Sequence, residues 1–143
     1  MGKIEEIEKN QEAKSSTLEQ DTENVEKNIE NLDKKIEELE RAISAVSDDD
    51  QVRASLERNL AEREQEKQQE QQKAKELDNQ IDELSEELTE YENINNNSRS
   101  EVSQLQSVEN VGDALAVVEQ RESWINARRN TLNELKNRLS KLG

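Results

Sequence analysis

The fold is decided by residues 25–46, VEKNIENLDKKIEELERAISAV. Its apolar side chains recur at alternating spacings of four and three residues, the heptad repeat of a helix that packs along another helix. On the outer face, acidic residues precede basic ones by four positions, as in Glu30–Lys34 and Glu37–Arg41, and each such pair stabilises a helix by roughly 0.2–0.5 kcal/mol. The stretch therefore predicts a long helix with a narrow apolar seam. The seam positions are Val25, Ile29, Leu32, Ile36, Leu39, Ile43 and Val46.

Two short polar stretches divide the rest of the chain. Residues 47–50 read SDDD and residues 95–98 read NNNS, and both predict turns. In each case a serine has an acidic residue three positions later, the pattern of a helix N-cap. The predicted helices are therefore residues 3–46, 51–94 and 99–143.

Three helices of nearly equal length predict an all-α fold, an elongated antiparallel three-helix bundle that forms a single domain over residues 1–143. Folding the chain near residue 49 places Ile7 opposite Tyr91, and folding it near residue 96 places Leu60 opposite Leu132. Apolar positions align in both hairpins. The alternative is a set of helical hairpins that dimerise into a four-helix or larger bundle.

The composition agrees with a thin helical core. Ala, Glu, Lys, Arg and Leu make up 70 of the 143 residues, and only 29% of the residues are apolar. Phe and Pro are absent, and the chain has one Trp and one Tyr. These values favour a monomeric rod, with a homodimer as the alternative.

Polar residues interrupt the seam at two places. Gln11 and Ser15 occupy seam positions of the first helix, and Arg63, Lys67 and Glu70 form a polar waist in the second. We therefore expect the tightest packing near the first turn, where residues 25–46 would meet residues 52–60 and 132–142. The opposite end should be looser.

Catalytic and cofactor chemistry is not indicated. The chain has no His and no Cys, and it has no glycine-rich loop that could hold a phosphate. A calcium loop that began at Asp48 would need Gly at position 53 and Glu at position 59, where the sequence has Arg53 and Asn59. We expect a non-enzyme without a cofactor or a metal.

The first residues, MGKIEE, lack the apolar centre of a signal peptide, and no window approaches the ~18 apolar residues of a membrane span. We therefore expect a cytoplasmic protein without membrane insertion. A protein exported by a signal-independent secretion system would share these features.

The charge is unevenly distributed along the chain. The net charge is −15, yet residues 121–143 contain six basic residues and two acidic ones. The simplest interpretation is that the third helix balances two acidic ones. Direct binding to nucleic acid is not expected, because the chain is acidic and lacks interleaved aromatic residues.

A partner surface is predicted on the third helix. Trp124 lies there between Arg121 and Arg128, with Val117 one heptad earlier, and Trp and Arg are enriched at binding hot spots. One alternative is that Trp124 packs against the polar waist near Lys67 and Glu70. Another is that the acidic hairpin of the first two helices, and not the third helix, is the binding surface.

These features predict a non-catalytic coiled-coil protein that binds another protein through a helical face, as an adaptor, scaffold, chaperone or secretion-apparatus component. The alternative is an acidic decoy that mimics nucleic acid and blocks a basic groove. No stretch carries a specific family resemblance.

Overall fold

The computed structural model describes residues 2–46, 48–104 and 111–143. These residues form three helices, α1 (Lys3–Ala45), α2 (Asp50–Ser103) and α3 (Val111–Ser140). Helices α1 and α2 form a long antiparallel hairpin, and α3 packs back mainly against α2. The predicted all-α three-helix bundle is therefore confirmed.

The first hairpin has the predicted register. Asn28 Nδ2 donates to Glu70 Oε2 at 3.3 Å, and Tyr91 Oη donates to Glu8 Oε1 at 2.7 Å, as expected for a turn near residue 49. At that turn the N-cap of α2 is Asp49, whose carboxylate accepts a hydrogen bond from the Val52 N–H at 3.2 Å. The predicted cap residue, Ser47, lies outside the described residues.

The second predicted turn, residues 95–98, is wrong. Helix α2 runs through these residues to Ser103, and Ser98 Oγ donates to the Ile94 carbonyl at 3.2 Å instead of capping a new helix. The predicted third helix, residues 99–143, accordingly begins later, at Val111. Asparagine has low helix propensity, but tertiary contacts override propensity here, since Asn95 is buried between α2 and α3.

The late turn displaces α3 along the hairpin. Gln71 Nε2 donates to the Leu142 carbonyl at 3.0 Å, and Asn95 Nδ2 donates to the Val118 carbonyl at 3.1 Å. This register places Leu132 opposite Ile81, about 21 residues along α2 from the predicted Leu60, which is three heptads. Helix α3 therefore covers only the half of the hairpin that contains the start of α1 and the end of α2.

We call the three-helix half the body and the uncovered half, residues 30–70, the arm. The buried apolar core lies in the body and extends to Leu32 at the start of the arm, and of the described residues from 33 to 73 none is fully buried. The prediction that packing is tightest near the first turn is therefore wrong, because the third helix that would have covered that end lies elsewhere. The core cluster comprises Ile7, Leu18, Val25, Ile29, Ala74, Leu77, Ile81, Leu84, Leu88, Tyr91, Ile125, Leu132, Leu135 and Leu139.

Candidate partner-binding surface

In the body, basic residues of α3 pair with acidic residues of both other helices. Arg138 bonds Glu26 of α1, Lys136 bonds Asp82 of α2, and Arg129 Nη2 lies 3.2 Å from Glu92 Oε2. These contacts confirm the predicted charge balance. The hydrogen bond to Glu26 raises the pKa of Arg138, and the hydrogen bond to Asp82 raises the pKa of Lys136.

In the arm, the same α1–α2 seam continues without a covering helix among the described residues. Leu39 and Ile43 of α1 and Leu56 and Leu60 of α2 are only partly buried. Val52, near the turn, is 43% exposed. The heptad run that decides the fold thus ends in a two-helix stretch whose apolar residues stay in contact with water.

The polar waist lies at the seam of the arm. Lys67 Nζ is 2.7 Å from Asp33 Oδ1, and Arg63 Nη2 is 3.3 Å from both Glu62 and Glu66. The Arg63 and Lys67 side chains are 25% and 33% exposed, so their methylene stems cover the seam while their charges reach the surface. The waist is therefore a snorkelling stretch.

The residues that border the arm groove are found by counting in seven-residue intervals along α1 and α2, starting from residues that contact α3. On α1, Glu26 contacts Arg138, and Asp33 and Glu40 follow at seven-residue intervals. On α2, Gln71 contacts Leu142, and Glu64 and Glu57 precede it at the same interval. Residues seven apart share a helix face in a coiled coil, so the edge that α3 covers in the body continues into the arm through these four acidic residues. Of the four, Asp33 pairs with Lys67 and Glu57 pairs with Arg53.

The opposite edge of the arm has a different composition. An open groove there is lined by Asn28, Asn31 and Lys35 of α1, together with Glu66 and Gln69 of α2. Basic, acidic and amide side chains are mixed on this edge. Glu70 also lines this groove, so the opposite edge carries two glutamates beside a lysine and three amides.

The predicted surface around Trp124 is largely occupied by internal contacts. Trp124 packs on Tyr91 with ring centroids 4.8 Å apart, and Arg128 bonds Ser15 of α1. Arg121 is partly buried, and Val117 is 43% exposed. Trp124 is therefore a core-edge residue, although its neighbour is Tyr91 and not the polar waist, because α3 is displaced by three heptads.

Tyr91 is the most perturbed ionisable group of the body. It is 1% exposed, and its hydroxyl donates to Glu8. Burial, followed by this hydrogen bond, raises the pKa of the Tyr91 phenol. At the surface, the hydrogen bond from Lys27 lowers the pKa of Glu23. Both groups keep their usual charge at neutral pH, so neither indicates acid–base catalysis.

Comparisons of the chain with protein families, curated proteins and solved structures found no match. Within residues 2–46, 48–104 and 111–143, no group of three or more acidic side chains is arranged to hold a metal ion. No helix in this part of the chain has the length and apolar character needed to cross a membrane.

From the sequence, the acidic hairpin is only the alternative to α3 as the binding surface, and an arm that α3 leaves uncovered is not predicted. A signal was present, since the apolar run of residues 25–46 is opposed in part by the polar waist of α2. An apolar helix face opposite charged residues is typical of a seam that is incomplete within its own chain.

Proposed function

We propose that this chain is a non-catalytic, monomeric, cytoplasmic interaction protein that binds another protein through the arm. A helix of the partner would cover the seam of the arm, as α3 covers the seam of the body. The observation that supports this proposal is the continuous α1–α2 seam, buried under α3 at Ile29 and Leu77 but half-exposed at Leu39 and Leu60.

Burial of the remaining exposed surface favours such a complex. Completing the burial of a partly buried Leu or Ile contributes at most about 1 kcal/mol. Four such residues, Leu39, Ile43, Leu56 and Leu60, lie along the arm together with the exposed Val52. Over about 21 residues of α2, the arm offers a groove roughly 30 Å long.

The nucleic-acid decoy is less well supported. A decoy requires an uninterrupted row of negative charge, whereas several acids of the arm have neighbouring cations on the same helix. Lys34 Nζ is 3.4 Å from Glu30, and Arg53 Nε is 3.1 Å from Glu57. We therefore propose protein binding.

The test uses a labelled helical peptide of about 21 residues, three heptads, with Leu and Ile at seam positions and Gln at the flanks. Its binding is measured by fluorescence anisotropy with the full chain and with an arm-shortened variant that lacks residues 33–39 and 60–66. Removing one heptad from each helix keeps the register of the remaining pairs. Circular dichroism checks that the variant is folded.

We expect the full chain to bind the peptide and the shortened variant to bind it about tenfold more weakly, a difference of ~1.4 kcal/mol. Val117→Ser serves as the control on the predicted α3 surface and should not change binding. Equal binding by both chains, or no binding by either, would refute the proposal. If Val117→Ser lost peptide binding, the partner surface would lie on α3, as the sequence predicts, and not on the arm.

A further inference from the structure

We propose that the helix which covers the arm is a basic amphipathic helix of another protein, and that it lies in line with α3 beyond Ser140, where that helix ends. This inference rests on the proposed function and specifies the chemistry of the partner. Its starting point is the way in which α3 itself is held.

Helix α3 meets acidic edges with basic side chains. Arg138 reaches Glu26 on α1, and Lys136 reaches Asp78 and Asp82 on α2. The Arg138 and Glu26 side chains are 34% and 31% exposed, so the pair lies at the rim of the seam. A helix that occupies this groove therefore places apolar residues on the seam and cations beside it.

The same edges extend into the arm with the same sign. On α1, Asp33 and Glu40 follow Glu26 at seven-residue intervals. On α2, counting back from Asp78 at the same interval gives Gln71, Glu64 and Glu57. Glu30 and Glu37 lie on the same edge of α1, seven and fourteen residues after Glu23. All six charged residues reached in this way are acidic. Glu30, Glu37, Asp33 and Glu57 each pair with one cation of the chain, whereas Glu40 and Glu64 form no ion pair within the described residues. The helix that fits this groove thus has Lys or Arg at the positions that Lys136 and Arg138 hold in α3.

The end of α3 leaves the groove open in line with its axis. Helix α3 ends at Ser140, and the Leu142 carbonyl accepts the hydrogen bond from Gln71 at the start of the arm. An open cleft of ≈ 270 Å³ lies at this junction between Ala74 and Leu139. The first apolar side chain of the partner helix would fill this cleft.

A second copy of this chain is a poor occupant. The arm contains 13 acidic and 7 basic residues, and the whole chain has a net charge of −15. Two arms that packed against each other would bring rows of carboxylates together, which is destabilising. The charge of the groove therefore favours a basic partner.

The test compares three peptides with identical Leu and Ile seams and with Lys, Gln or Glu at the flanking positions. Each is titrated against the full chain by fluorescence anisotropy at low and high salt. We expect the Lys peptide to bind about tenfold tighter than the Gln peptide at low salt and the Glu peptide to bind weakest. The difference should shrink at high salt, because salt screens exposed charges.

Two double variants with the same net charge show which edge of the arm is responsible for the preference for the Lys peptide. Glu40→Lys with Glu64→Lys alters the edge that continues from α3. Glu38→Lys with Glu76→Lys alters the opposite edge, at one position in the arm and one in the adjoining part of the body. All four glutamates are exposed, and none forms an ion pair within the described residues. Only the first variant should lower the preference for the Lys peptide, by about tenfold.

The outcomes separate this inference from the proposed function. Equal binding of all three peptides by the arm would overturn the inference and leave the proposed function intact. Absence of binding by every peptide would overturn both. An equal effect of the two double variants would show a non-specific charge effect and refute the inference. Self-association of the peptide-free chain through the arm in sedimentation would identify a second copy as the occupant and would also refute it.

Discussion

Asn95 and Val118 are joined by a hydrogen bond in the interior between α2 and α3. Asn95 Nδ2 donates to the Val118 carbonyl at 3.1 Å, and the two residues are 0% and 2% exposed. Both groups are buried, so loss of this bond would leave the amide donor unpaired, which costs about 1–3 kcal/mol. The pair therefore holds α3 on the body.

Asn95→Asp tests this role. A carboxylate at this position would face the Val118 carbonyl, so two acceptors would be buried together without a donor. We expect the free energy of unfolding to fall by about 3 kcal/mol at neutral pH, measured by chemical denaturation. Asn96→Asp, at an exposed neighbouring position, is the control and should change stability by less than ~0.5 kcal/mol. Equal effects would show that the Asn95–Val118 bond does not stabilise the body.

Trp124→Ala tests the packing of α3 against Tyr91. Because Trp124 packs on the core but is only partly buried, we expect a loss of about 2–3 kcal/mol of stability, at or below the lower end of the range for buried aromatics. Val117→Ala, at an exposed site, should have little effect on the thermal midpoint. Unchanged stability of Trp124→Ala, combined with lost partner binding, would place Trp124 on a partner surface.

Hydrogen exchange should distinguish the arm from the body. We expect amides of residues 81–91 to exchange through global unfolding and amides of residues 36–45 and 52–60 to exchange about tenfold faster or more, because fewer apolar contacts hold the arm together. Mass spectrometry of peptic fragments measures the difference. Uniform protection along α2 would mean that the two-helix seam is as stable as the three-helix body.

The Arg138–Glu26 pair should couple α3 to α1. Arg138→Glu alone places two carboxylates together, whereas Glu26→Arg combined with Arg138→Glu restores an opposite-charge pair. Since both side chains are about one-third exposed, we expect a coupling of roughly 0.5–1 kcal/mol in a double-mutant cycle that weakens at high salt. If the double variant is no more stable than the sum of the single variants predicts, the pair is only a surface contact.

Tyr91 should link stability to alkaline pH. Burial and the hydrogen bond to Glu8 raise the pKa of its phenol above the ordinary value of 10.0. Below that pH the folded and unfolded states are both protonated, so the contribution of Tyr91 to stability is complete. As the pH rises above 10.0, the unfolded state loses the proton first, and the contribution is progressively lost.

Tyrosinate absorbance gives the titration directly, since Tyr91 is the only tyrosine of the chain. Denaturant midpoints across the same pH range give the stability. Tyr91→Phe separates this effect from lysine titration, because the variant should lose less stability above the ordinary tyrosine pKa than the parent chain. A phenol that titrates at its ordinary pKa in the folded protein would contradict the prediction.

Much of the fold could be predicted from local patterns. The heptads of residues 25–46 indicated a long helix, and the acidic turn before Val52 placed the first hairpin in its observed register. The polar seam residues Gln11 and Ser15 were recognised, but their burial was underestimated, since Gln11 is 0% and Ser15 3% exposed. Gln11 Nε2 donates to the Leu84 carbonyl at 2.8 Å, a tertiary contact that local spacing does not reveal.

The sequence by itself determined the helical class, the apolar seam and the first hairpin, because spacing and a polar turn are local properties. Only the tertiary structure decided where α3 lies. A heptad repeat aligns equally well after a slide of whole heptads, so Leu132 had apolar partners opposite both Leu60 and Ile81. The choice was made by the length of α2, which runs to Ser103 and so positions α3 on the body, where Asn95 bonds Val118, and leaves the arm uncovered.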